Sequence, residues 1–133
     1  MVLDTSAVSA ILFGEPEALA FCRAIEADPV RLVSAATLLE CALVVESRQG
    51  EPGGRELDLM LHRAGVDVVA VTAAQAEIAR EAWRRFGKGR HPAGLNFGDT
   101  FAYALSRSSG EPLLFKGRDF AQTDVAVALG TTR

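Results

Sequence analysis

No uninterrupted apolar run in this sequence approaches the ~20 residues that a membrane-spanning helix needs. No basic, apolar-cored leader is expected either, because Asp4 falls inside the first apolar stretch. A soluble, cytoplasmic protein is expected. Cysteine is scarce: Cys22 and Cys41 both fall in helical patterns without the paired spacing of a zinc knuckle, and read as small buried hydrophobes. The two histidines, His62 and His91, are not spaced as metal ligands. An excess of positive charge is also missing. The net charge is −3, which nucleic-acid binders seldom show, although clustering matters more than the total. Repeats, low-complexity tracts and interdomain linkers are absent. Apolar residues are what the chain has in plenty, at 49% of 133 residues with a mean hydropathy of +0.16. That excludes disorder and suffices for one domain spanning residues 1–133, which at this size buries about two-thirds of its unfolded surface.

The apolar pattern alternates short β-branched or leucine-rich runs with helical stripes. Met1 to Asp4 reads as a buried strand, Arg31 to Ser34 as a second and Val66 to Val71 as a third. Leu113 to Phe115 reads as a fourth, and Val125 to Leu129 as a short fifth strand at the edge. Between them lie helices from Ser6 to Phe13, capped by Thr5 or Ser6, and from Pro16, a residue tolerated at a first helical position. Others run from Thr37 to about Gln49, stopped by Gly50 and Pro52, then from Gly54 to Gly65, from Thr72 to Phe86, and from Asp99 to Gly110. Such alternation predicts an α/β fold, a three-layer sandwich in which helices cover both faces of a parallel sheet of four to five strands.

Four acids stand where these elements begin or end. Asp4 closes the first strand, Glu40 sits in the first turn of the helix after the second, Asp99 opens a helix, and Asp119 follows the fourth strand. In an open α/β sheet the carboxyl ends of the strands border one crevice where ligands bind. Carboxylates gathered there disfavour each other's ionisation unless a cation holds them, so a divalent-metal site is the chemistry this placement suggests. Each acid also has a purely structural reading. Asp4 suits a turn, and Thr37-Leu-Leu-Glu40 fits a capping box. Asp99 would be favoured by its helix dipole, and Asp124, five residues beyond Asp119, could replace it as the fourth acid. The one basic cluster, Arg84, Arg85, Lys88 and Arg90 with His91, is either a solvated face or a surface for RNA phosphates.

The order and setting of the acids resemble the PIN-domain ribonucleases. Val2-Leu-Asp4-Thr-Ser6 is similar to the family's first motif, Thr37-Leu-Leu-Glu40 to its second, Leu95-Asn-Phe-Gly-Asp99-Thr-Phe-Ala-Tyr-Ala-Leu105 to its third, and Pro112-Leu-Leu-Phe-Lys-Gly-Arg-Asp119 to its fourth. The resemblance covers the whole chain, and its length is like that of the VapC toxins of VapBC toxin–antitoxin pairs. In one departure, Phe115-Lys116-Gly117 stands where the fourth motif usually has a threonine.

The resemblance implies an Mg²⁺-dependent endoribonuclease, with Mn²⁺ able to substitute, that stops translation until a VapB-like antitoxin binds it. A homodimer inside a toxin–antitoxin hetero-oligomer is implied as well. Asp4 and Asp99 would bind the ion directly, and Glu40 and Asp119 would act through water or a second ion. Ser6 would support Asp4 or the scissile phosphate, with Lys116 nearby. The apolar residues Leu43, Val44, Leu57, Met60 and Leu61, between Thr37 and Gly65, offer a docking surface for the antitoxin. Two other classes compete: a non-catalytic acidic interaction module, and a phosphatase similar to the haloacid dehalogenases. The latter needs a second aspartate two residues after the first, where this chain has Ser6.

Overall fold

The computed structural model describes residues 1–129. Four parallel strands, β1 (Val2–Leu3), β2 (Leu32–Ser34), β3 (Asp67–Val69) and β4 (Leu113–Leu114), form one sheet in the order β3-β2-β1-β4. Strand β1 is therefore central, with Val2 in register with Leu32 on one side and Leu113 on the other. The expected fifth strand amounts to one bridge, Val127 against Leu113, so the sheet has four strands.

Alternation along β1 and β4 assigns their residues to opposite faces, the two-residue period of a strand. Val2 and Leu113 join one core cluster, packed with Phe86 of α4 (Ala73–Phe86) and Tyr103 and Leu105 of α5 (Phe97–Ser109). Leu3 and Leu114 join the other, with Val8 of α1 (Thr5–Leu12), Phe21 and Ile25 of α2 (Ala18–Ala27), and Leu57 and Leu61 of α3 (Ala35–Arg63). The result is the expected sandwich of helix, sheet and helix.

The helix starts depart from the expectation in ways that matter below. Asp4, rather than Thr5 or Ser6, caps α1, its side chain accepting from the Ser6 amide. Pro16 precedes α2 in a turn instead of opening it. The cap of α3 is Ser34, the last residue of β2, which moves that helix's start two residues ahead of Thr37. Thus Glu40 lies beyond the first turn, and the Thr37–Glu40 capping box does not form. Helix α3 is two helical segments joined at Gly50, whose φ of 69° lies in the left-handed region that favours glycine. Gly53 then lies so close to Val45 that a Cβ would overlap it, which lets the second segment pack against the first.

Candidate functional site

The sheet's carboxyl edge is built by three short connections. Strand β1 ends at Leu3, and the next residue, Asp4, is held by its own amide donating to the Leu114 carbonyl at 3.0 Å. Asp4 is only 3% exposed. Its Oδ2 accepts from the Ser6 amide at 3.0 Å and from the Ser6 hydroxyl at 2.6 Å. Its Oδ1 is buried with no hydrogen-bond partner. A buried, unpartnered carboxylate oxygen is costly unless something compensates for the lost water. Burial pushes the Asp4 carboxyl above its ordinary value; the Ser6 bonds pull it down, and the charge of Glu40 pushes it up again.

Glu40 reaches the same edge from α3. Its Oε1 accepts from the Thr5 hydroxyl at 2.5 Å. Its other oxygen lies against Gly98, where any Cβ would overlap the carboxylate. Helix α5 supplies that glycine together with Asp99. Asn96 caps α5 by accepting from the Asp99 amide at 2.9 Å, and the Asp99 Oδ2 accepts from the Asn96 amide at 3.0 Å in return. Asp99 is half-buried, and that burial is the main reason its carboxyl is pushed up to about 6. The Asn96 amide opposes the shift, while the charges of Asp4, Glu40 and Asp119 reinforce it. All four acids therefore share one electrostatic neighbourhood. Asp119 is exposed and precedes the 3-10 turn Phe120–Gln122.

Asp124 is placed elsewhere. Its Oδ1 accepts from the Tyr103 hydroxyl at 2.5 Å, and its Oδ2 pairs with Arg85 at 3.2 Å and Arg107 at 3.4 Å. It ties the chain after β4 to α4 and α5, and those cations and the tyrosine, opposed by desolvation, hold its carboxyl below the ordinary value. Lys116 points its amine away from Asp4, to Glu15 at 2.6 Å and Glu17 at 3.4 Å, while its backbone amide donates to the Ser6 hydroxyl at 2.9 Å. The Ser6 proton is thereby committed to Asp4. Within the basic cluster Arg84 pairs with Glu81, Arg85 with Asp124, and Arg90 stacks on Trp83 with its guanidinium 4.1 Å from the ring centre. Lys88 is exposed.

Reasoning from sequence did not foresee the contacts of Thr5 and Gly98 with Glu40, those of Glu15 and Glu17 with Lys116, or the Ser34 cap of α3. Gly98 had a signal: glycine in a helical turn costs about 1 kcal/mol against alanine, so its presence points to a close approach. The docking surface expected on α3 needs correction. Leu57 and Leu61 are buried in the chain's own core, with Met60 packed against it, because the second segment of α3 joins the same apolar cluster as Leu3, Val8 and Leu114. Leu43 is exposed. A separate open groove of about 510 Å³ runs between α1, α2 and the second segment of α3, lined by Ile11, Leu12, Ile25, Leu59 and Met60 with Glu56 and Arg63.

Among the described residues, no three His, Cys, Asp or Glu side chains already stand in the arrangement of a metal site. The donor set nevertheless suits a hard cation. It consists of carboxylates, one of which keeps a buried oxygen free of any partner, and two of which sit above their ordinary pKa, chiefly through burial and partly through the charge of Glu40.

Comparison with known proteins places these features. The PIN domain family matches residues 1–126. Ribonuclease VapC30 of Mycobacterium tuberculosis (strain ATCC 25618 / H37Rv) is 64% identical over 126 residues, covering 95% of this chain and 96% of that protein. Ribonuclease VapC of Mycolicibacterium smegmatis is also 64% identical over 126 residues, covering 95% of this chain and 98% of the relative. The crystal structure of Mycobacterium tuberculosis VapC20, a toxin that cleaves the sarcin–ricin loop, superposes with a TM-score of 0.77 over 94% of this chain and 95% of that one. At 22% identity that last likeness speaks to the fold alone.

Proposed function

The chain belongs to the PIN-domain family, among its VapC ribonuclease toxins, and on that premise we propose how it works. It is an endoribonuclease, hydrolysing RNA phosphodiester bonds. Asp4 and Asp99 would hold a Mg²⁺ ion, for which Mn²⁺ could substitute, and the buried Oδ1 of Asp4 is the observation that carries this assignment. Bound there, such a cation supplies Lewis acidity, lowering the pKa of water and neutralising charge on the phosphoryl oxygens.

The chain's own groups do the rest. Ser6 spends its amide and its hydroxyl proton on one oxygen of Asp4, which fixes the carboxylate and leaves the other oxygen without a partner. Glu40, held by Thr5 on one oxygen, orients or deprotonates the attacking water. Exposed Asp119 acts through water, whereas Asp124 serves the fold. Lys88 is the member of the basic cluster best placed to meet RNA backbone, since Arg84, Arg85 and Arg90 are engaged with Glu81, Asp124 and Trp83.

Partners follow from the same reading. A VapB-like antitoxin would lay an apolar helix or strap in the groove between α1, α2 and α3, where Glu56 and Arg63 offer charges for registration. Two copies would associate in the hetero-oligomer through Leu39 and Leu43, one turn apart on α3 and 60% and 64% exposed. Among the described residues no helix is long and apolar enough to cross a membrane, and the cytoplasm is the compartment we assign. The test is cleavage of end-labelled RNA by the purified chain with Mg²⁺, with Mn²⁺ and with EDTA. Discrete internal cuts that vanish in EDTA are expected. Equal cutting in EDTA would overturn the metal reading.

A further inference from the structure

We propose that Phe97 is a base-stacking platform that positions the RNA for cleavage. This inference rests on the ribonuclease reading of the acidic edge. Phe97 is 79% exposed, the largest exposure of any large apolar side chain among the described residues. It begins α5, directly before Gly98, which touches the Glu40 carboxylate, and two residues before Asp99. The most exposed aromatic surface thus borders the acids. Trp83, the other strongly exposed aromatic, sits on α4 with Arg90 already stacked on its ring.

The ring is also held in place. Phe101, one turn along α5, meets it edge-on with ring centres 4.9 Å apart and planes at 87°. The backbone beneath is fixed by the Asn96–Asp99 capping box and by the Thr100 hydroxyl donating to the Phe97 carbonyl at 2.6 Å. A phenylalanine presented on a rigid helix start loses little freedom when something covers it. The substrate of this site supplies a fitting cover, because an unpaired nucleobase always has an aromatic face and stacking tolerates any base identity. A base stacked on Phe97 would fix its own phosphate beside Glu40 and Asp99. It would also favour single-stranded or looped RNA over duplex, whose bases have no free face.

The experiment compares parent and Phe97→Ala on a short single-stranded RNA containing one cleavage site. It then repeats the comparison on the same RNA made abasic at each position flanking the cut. Phe97→Ala should raise KM about tenfold, within the range of one lost base stack, with the smaller part of the loss in kcat. Phe97→Trp should restore affinity, and adding RNA in Ca²⁺ should quench its fluorescence beyond any change seen in the parent, whose one tryptophan is Trp83. One abasic position should weaken the parent by a similar factor while leaving Phe97→Ala unaffected by its loss. Equal KM values for parent and Phe97→Ala, or an abasic penalty of the same size in both, overturns the proposal. So does sedimentation showing that Phe97→Ala splits a dimer into monomers, since the ring would then belong to the contact between copies. If the parent cuts no RNA with Mg²⁺, the ribonuclease reading itself has failed, a result distinct from all of these.

Discussion

Replacing Asp99 by asparagine removes one negative charge from the acidic edge while leaving an oxygen to accept the Asn96 amide. In the folded chain this carboxyl titrates at about 6 rather than 3.8, chiefly because it is partly buried and secondarily because Asp4, Glu40 and Asp119 repel its charge. A raised carboxylate pKa means that the folded state binds the proton more tightly than the unfolded one. The parent therefore loses stability as pH rises from about 4 to about 6, and above 6 it carries the full penalty. Two units correspond to about 3 kcal/mol, which solvent screening at a half-buried group reduces to about 1–2 kcal/mol. In EDTA at pH 7.5, Asp99→Asn should melt higher than the parent by about 3–6 °C. At pH 4, where the parent's Asp99 is protonated, the difference should nearly vanish. Millimolar Mg²⁺ should raise the parent's melting temperature by mass action and leave the variant almost unmoved. Thermal melts followed by circular dichroism at the two pH values, with and without metal, read all three effects. An asparagine variant that melts below the parent at pH 7.5 in EDTA, or a gap that does not shrink at pH 4, refutes the electrostatic account.

Other substitutions probe the same architecture. Glu40→Gln keeps an acceptor for the Thr5 hydroxyl, so melting should be preserved while the cleavage rate falls about 10²-fold or more, the scale of a lost general base; full activity would remove Glu40 from the chemistry. Gly98→Ala places a methyl on the Glu40 carboxylate yet improves helix propensity by about 1 kcal/mol. Activity should drop at least about tenfold with melting unchanged or raised, and unchanged activity would show that Glu40 need not lie there. Leu57→Asp puts a charge into a fully buried position and should cost about 4 kcal/mol or more, leaving little folded protein in a urea titration. A stable variant would contradict the placement of α3 over the sheet.

Legibility varied with the kind of signal. The layer arrangement could be read because Val2 and Leu3, and Leu113 and Leu114, must feed two different cores, and only helices on both faces supply them. The positions of Asp4 and Asp99 at a strand end and a helix start were legible because local patterning locates such boundaries well. Glu40 was harder. Its local string imitates a capping box, and only the pairing of β2 with β1 and β3 shows that Ser34 is the last strand residue and so the cap. Thr5's bond to Glu40, 35 residues away, and Lys116's bonds to Glu15 and Ser6, more than 100 residues away, are tertiary contacts with no local trace. Nearness to the strand end favoured Asp119 over Asp124, but spacing could not show that Tyr103, Arg85 and Arg107 arrive from other helices to hold Asp124. The apolar stripe on α3 was visible, but whether it faces the sheet or a partner depends on the turn at Gly50.

The most direct measurement of the central claim is binding of Mn²⁺ to the purified chain, followed by electron paramagnetic resonance and paired with RNA cleavage by the same preparations. The parent should bind the ion and cut RNA, whereas Asp4→Asn and Asp99→Asn, shown by circular dichroism to be folded, should do neither. Binding and cleavage undiminished in both variants would contradict the assignment of the acidic edge as the metal-dependent catalytic centre.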